Sequence, residues 1–75
     1  MRKTFGEYLR LTLQIRGMTQ RSLAEKIGVG QPQIGRYLSG IDFPTVPRLI
    51  GICDALGVTP NVLLGFQGDE RDRII

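Results

Sequence analysis

TQRSLAEKIGVGQPQIGRYLSG, residues 19–40, is the stretch on which the reading of the whole chain turns. Two helical patterns, Thr19 to Ile27 and Gln31 to Ser39, are separated only by Gly28-Val29-Gly30. So short a link makes two helices cross steeply instead of lying side by side. Leu23, Ala24 and Ile27 form one apolar stripe, Ile34, Tyr37 and Leu38 form a second, and Val29 lies between them. Both helices can therefore cover one small core. Ala24 is small where the axes would come closest, and Gly28 suits a left-handed helix end that a residue with a Cβ disfavours. The combination predicts a helix-turn-helix.

Working outward, Thr4-Phe5-Gly6-Glu7 has the spacing of a capping box, in which the Thr4 hydroxyl accepts from the Glu7 amide and the Glu7 carboxylate reaches back. A first helix then runs to about Arg16 and stops at Gly17. Phe5, Leu9, Thr12 and Leu13 form its core stripe, whereas Tyr8, Leu11 and Ile15 form a second stripe on a neighbouring face. That second stripe has two readings: cover by the terminal segment through Phe66, Ile74 or Ile75, or contact with another chain. After the loop Gly40-Ile41-Asp42-Phe43-Pro44, Thr45 caps a fourth helix whose inward face is Val46, Leu49, Ile52, Cys53 and Leu56, ending at Gly57. Thr59-Pro60 opens a short fifth helix in which Val62 and Leu63 close the core. The expected architecture is an all-α, compact five-helix domain over residues 1–66, followed by a polar, frayed tail at residues 67–75.

The chain is 75 residues, 41% of them hydrophobic, with a net charge of +3. A single small domain of this size has a stability on the order of 5 kcal/mol. The apolar residues are too evenly spread for a membrane span, and the polar start Met1 to Glu7 does not read as a secretory signal, so the expected location is cytoplasmic. With one cysteine and no histidine, disulfide frameworks, the usual zinc sites and histidine-dependent catalysis all lack their parts. Cys53 reads as a packed side chain, not a reactive thiol. Glu7, Glu25, Asp42 and Asp54 are scattered over different elements and no nucleophile has a visible base, so no enzyme is expected and no cofactor or metal is implied. In the tail, Arg71 and Arg73 stand against Asp69, Glu70 and Asp72, which leaves a charge of +4 on the remainder. That excess is a weak pointer to nucleic acid.

The residues Thr19-Gln20, Leu23-Ala24, Ile27-Gly28-Val29, Gln31, Ile34 and Ser39-Gly40 resemble the lambda repressor and Cro-like (XRE) family of DNA-binding domains. The likeness continues through Pro44-Thr45, Leu49, Ala55-Leu56-Gly57-Val58 and Val62-Leu63-Leu64, covering roughly residues 5 to 66. It implies a λ-repressor-like fold, double-stranded DNA as the partner, and the second helix of the motif in the major groove. One departure stands out: Leu13 and Leu38 occupy positions where many relatives carry an interior Arg–Glu pair. The leucines replace it with an apolar contact, which owes no desolvation.

Burial of positions 34, 37 and 38 turns Gln31, Pro32, Gly35 and Arg36 outward as the candidate base readers. A Gln amide pairs bidentately with adenine and an Arg guanidinium with guanine, each such pair discriminating by roughly 1 to 3 kcal/mol. Gly35 in mid-helix admits close approach of DNA, or else is drift on an exposed face. The family resemblance implies that Gln31 reads a base and is braced by Gln20. It assigns phosphate contacts to Thr19, Gln20, Ser39 and the amides around Gly40, Ile41 and Phe43. Arg16 and Arg21 flank the second helix and add charge, and Gln33 faces sideways toward the backbone. Lys26 and Arg48 read as solvated surface charges. Asp42 argues the other way, since that loop carries no basic residue and Arg2-Lys3 is the only basic arm the sequence offers. Two functions follow: a sequence-specific regulator binding a palindromic operator as a homodimer, or a protein-interaction module such as an antitoxin on the same fold. The dimer surface is either the region of Val62, Leu64 and Phe66 or the Tyr8, Leu11 and Ile15 stripe.

Overall fold

The computed structural model describes residues 4–65, which form five helices: α1 (Phe5–Arg16), α2 (Gln20–Ile27), α3 (Gln31–Ser39), α4 (Val46–Leu56) and α5 (Pro60–Leu64). No strand occurs among these residues, and no helix among them is long and apolar enough to cross a membrane. Arg2, Lys3, Phe66, Ile74, Ile75 and the tail at residues 67–75 lie outside the described residues.

Local chemistry starts and stops each helix. At α1 both halves of the capping box form: the Glu7 amide donates to Thr4 Oγ1 at 3.3 Å and the Thr4 amide to Glu7 Oε1 at 2.8 Å. Thr19 does the same for α2 with Ser22 as its reciprocal partner, both backbone amides donating to the opposing hydroxyl at 3.0 Å. Thr45 accepts from the Arg48 amide at α4, whereas Thr59 occupies the N-cap of α5 without a side-chain hydrogen bond. Between α2 and α3, Gly28 takes φ 76°, ψ 35°, and the amides of Gly28 and Val29 both donate to the Ala24 carbonyl, at 2.9 and 3.0 Å. A Cβ at Gly28 would disfavour this left-handed turn, which is what reverses the chain in three residues.

Each helix contributes one fully buried side chain to a single node: Leu9, Leu23, Ile34, Ile52 and Leu63 are each 0% exposed. Burying a side chain of this size is worth about 1.5–3 kcal/mol, so the node outweighs any one cap and sets the rotation of every helix about its axis. Leu13, Ala24, Tyr37, Leu38, Leu49, Cys53 and Leu56 complete the cluster. Leu13 and Leu38 both lie within it, so the interior between α1 and α3 is apolar at these two positions. Thr12, also buried, satisfies its hydroxyl by donating to the Tyr8 carbonyl at 2.8 Å. The Cys53 thiol is buried and its pKa is pushed up, first by desolvation and then by the charge of Asp54, which disfavours the reactive thiolate.

Two side chains depart from the expected pattern. Val46, placed inward by its spacing from Leu49, is 69% exposed. It is the first residue of α4, and a stripe buries only where another element extends over it. Val62 is half-buried, leaving Leu63 to fill the node. On the second stripe of α1, Tyr8 is half-buried against Gly65, whose added Cβ would sit 2.8 Å from the ring. Leu11 and Ile15 remain exposed at 40% and 80%. Gly6 has a role that its place inside the capping box concealed. It is buried where α1 crosses α3, against the backbone carbonyls of Tyr37 and Leu38.

One substitution should have opposite signs at two glycines. A Cβ on Gly6 would lie 2.9 Å from the Tyr37 carbonyl oxygen and nearer still to that of Leu38, so Gly6→Ala pushes α1 off α3. Overpacking of this kind costs about 1–3 kcal/mol. Gly51, within α4, has nothing within 4 Å of the added methyl, so Gly51→Ala should stabilise by up to about 1 kcal/mol through helix propensity. Urea unfolding at constant m-value should move the midpoint down for the first and up for the second. A midpoint left unchanged or raised by Gly6→Ala would rule out the close crossing at Gly6.

Candidate nucleic-acid interface

On α3, burial of Ile34, Tyr37 and Leu38 leaves Gln31, Pro32, Arg36 and Ser39 exposed, with Gly35 and Gln33 half-buried beside them. The outward edge inferred from the spacing is therefore the edge that meets solvent. Pro32 fits the first turn, where amides have no partner in the helix, and Gly30 caps the helix without a side chain. Gln20, the first residue of α2, reaches this edge. Its Oε1 would lie 3.9 Å from a Cβ built on Gly35, an ordinary van der Waals separation. Nothing in the interior therefore requires glycine at position 35. No hydrogen bond links Gln20 to Gln31 among the described residues; Gln20 lies alongside Gly35 instead.

Arg36 is exposed but not free. Its Nε donates to Asp42 Oδ2 at 2.6 Å and its Nη2 to Asp42 Oδ1 at 3.4 Å, while Gln33 Nε2 donates to the same Oδ2 at 3.2 Å. The loop residue that counted against DNA binding thus joins two residues of the candidate reading helix. Its carboxyl is held below the usual carboxylate range, chiefly by the hydrogen bond from Arg36, then by that from Gln33, with a smaller contribution from the Arg36 charge. The same bond raises the Arg36 pKa, so the guanidinium stays charged. Both side chains are about half exposed, at 51% and 38%, so water screens the pair and it contributes little to stability.

The candidate phosphate contacts are distributed unevenly. Thr19 stands at the N-terminus of α2 with its hydroxyl engaged in the capping box, and Ser39 folds its hydroxyl back to the Arg36 carbonyl at 3.3 Å. The amides of Gly40 and Ile41 close the end of α3 on the carbonyls of Tyr37 and Arg36, at 3.3 and 3.0 Å, so they are already spent. The Phe43 amide has no acceptor among the described residues, and the Phe43 ring packs on Phe5 at a centroid distance of 4.9 Å. Arg21 forms an exposed pair with Glu25 at 3.5 Å. Arg16 is directed elsewhere: its Nη2 donates to the Gly57 carbonyl at 3.2 Å, at the end of α4. Arg48, expected to be solvated, is half-buried and donates to the hydroxyl of buried Tyr37 at 3.4 Å. Sequence spacing alone could not signal that pairing, because the two residues lie eleven positions apart on different helices and meet only in the folded chain.

The profile of the helix-turn-helix family matches residues 9–63. No curated protein matches the chain. Among solved structures, the fold is similar to the P22 c2 repressor in complex with a synthetic operator, with a TM-score of 0.80 at 23% identity over 88% of this chain and 100% of that one. It is similar to the restriction-modification controller protein C.AhdI from Aeromonas hydrophila, with a TM-score of 0.76 at 25% identity over 80% and 91% of the two chains. A transcriptional regulator from Listeria innocua aligns with a TM-score of 0.75 at 22% identity, over 92% of this chain and 64% of that one.

The Arg36–Asp42 pair gives a pH signature of known sign. A carboxyl whose folded pKa is depressed contributes stability above its unfolded pKa and loses it as pH falls through the folded value. Arg36 stays protonated throughout that window and adds no titration of its own. An NMR titration of the Asp42 carboxyl should give a midpoint below the ordinary carboxylate range, and Arg36→Ala should move it upward. An unmoved midpoint in that variant would exclude the bond.

Proposed function

The chain belongs to the helix-turn-helix family, and from that premise we propose that it is a sequence-specific DNA-binding transcriptional regulator that lays α3 in the major groove. The observation that carries the reading is the polar edge of α3, held toward solvent by the burial of Ile34, Tyr37 and Leu38. Gln31, Pro32, Gly35 and Arg36 are the base-reading residues, and Arg36 supplies the one guanidinium among them. Gln20 and Thr19 at the start of α2, Arg21, Ser39 and the Phe43 amide make the backbone contacts. Unpaired amides at a helix N-terminus favour a phosphate, and the first turn of α2 carries no acidic residue to compete. Arg16 drops out of this set, because it serves the end of α4. Gln33 acts through Asp42 before it can meet the backbone.

The P22 c2 repressor, with its bound operator, supports the DNA assignment by likeness of fold. The protein works in the cytoplasm, as a homodimer on a palindromic site with half-sites about 34 to 36 Å apart. Family and fold are those of DNA-binding regulators, not of enzymes. A protein-interaction module on this fold rested on Asp42 and the modest charge. Asp42 has a partner on the reading helix, which weakens the first of those two grounds and leaves the modest charge as the other.

Selection from random duplexes should return a two-fold symmetric site, with binding that weakens as salt rises. On that site Arg36→Ala should lose roughly tenfold to a hundredfold in affinity and relax preference at one base pair. Arg21→Ala should weaken all sequences alike. Equal losses on selected and random DNA for both variants would contradict the assignment of Arg36, and no duplex binding at low salt would contradict the regulator.

A further inference from the structure

Asp42 places a negative charge in a loop with no basic residue, beside the candidate DNA surface, where a carboxylate disfavours phosphates. Its geometry shows what it offers in return. The loop is hung from the residue that it holds: the amides of Ile41 and Asp42 both donate to the Arg36 carbonyl, at 3.0 and 3.3 Å. The carboxylate is therefore fixed in relation to the backbone of Arg36 before it meets the side chain. It takes the guanidinium from the side, through Nε at 2.6 Å and Nη2 at 3.4 Å. Of the five N–H donors on an arginine, this leaves both on Nη1 and the second on Nη2. Those at the tip form the parallel pair that fits guanine O6 and N7. Gln33, one turn earlier, donates to the same carboxylate oxygen at 3.2 Å and restrains it further.

We propose that Asp42 is a positioning residue that holds the Arg36 guanidinium end-on for guanine, raising sequence preference while lowering affinity for duplex DNA at large. The inference rests on the assignment of Arg36 as a base reader. An arginine left free would sample many rotamers and reach phosphates as readily as bases. Held by Asp42, it loses that choice before DNA arrives, so less ordering remains to be done on binding. Charge repulsion alone would lower binding to all sequences equally, and competition between Asp42 and DNA for Arg36 would lower it most on the preferred site. Positioning alone predicts opposite signs for the two kinds of DNA.

The test uses the site recovered from random duplexes, with each guanine replaced in turn by 7-deazaguanine, which lacks the N7 acceptor. The full chain is compared with Asp42→Ala, Asp42→Asn, Arg36→Ala and the Arg36→Ala, Asp42→Ala double variant. The wild type should lose about tenfold at one guanine, within the range of a single bidentate contact. Asp42→Ala should shrink that penalty to a few-fold while binding random duplex more tightly. Adding Asp42→Ala to Arg36→Ala should leave the base preference unchanged, because the effect passes through Arg36. Asp42→Asn keeps the size of the side chain and should fall between, which guards against loss of fold in the alanine variant. A full 7-deazaguanine penalty in both Asp42 variants would overturn positioning while leaving Arg36 as a reader. A gain on the preferred site in Asp42→Ala would assign Asp42 to repulsion or competition instead. An undiminished penalty in Arg36→Ala, no guanine sensitive to the replacement in the wild type, or no recovered site at all would overturn the underlying reading, and positioning with it.

Discussion

The structure depends on one node, at which five helices each place a side chain completely out of water. Leu9, Leu23, Ile34, Ile52 and Leu63 belong to that one buried cluster, and a domain this small has no second core to fall back on. The node does more than stabilise. A helix whose inward residue is fixed has its outward residues fixed as well, because side chains follow the 3.6-residue turn. Burial of Ile34 is thus the physical reason that Arg36 faces solvent. The left-handed turn at Gly28 brings Leu23 and Ile34 into the same interior with only three residues between the helices. Packing and presentation of the polar edge are two results of one constraint.

The apolar interior between α1 and α3 follows the same economy. Leu13 and Leu38 join the cluster where a buried ion pair would need its desolvation repaid by ideal geometry. The α1–α3 crossing is close for a different reason: Gly6 lets the α1 backbone approach the carbonyls that end α3. From the end of α3 the chain turns through Gly40 into the loop that carries Asp42. Core, crossing and loop are therefore one continuous support for the position of Arg36.

Charge is used sparingly on the candidate DNA surface. Arg36 shares its guanidinium with Asp42, Arg21 pairs with Glu25, and Arg16 is committed to the end of α4. Such a surface cannot draw much affinity from counterion release, which scales with the phosphates neutralised. Discrimination between sequences then falls to the few side chains on α3 that can meet base edges, and to whatever fixes their direction.

Much of this was legible in the residues alone. Helix limits follow from Thr4, Thr19, Thr45 and the glycines that close each helix, because capping is chemistry between near neighbours in the chain. The same holds for the stripes that form the core and for the outward edge of α3, whose period is a local property. Val46 and Arg48 were misplaced because burial at a helix's first turn, and a hydrogen bond to Tyr37, depend on which other element lies nearby. Gly6 gave no sign of its crossing for the same reason. The sequence by itself determined five helices, their inward faces and the polar edge presented by the third. Only the tertiary structure decided that Asp42, six residues beyond Arg36 and outside its helix, comes back to hold it. That pairing depends on the path of a loop, and no periodicity records where a loop returns.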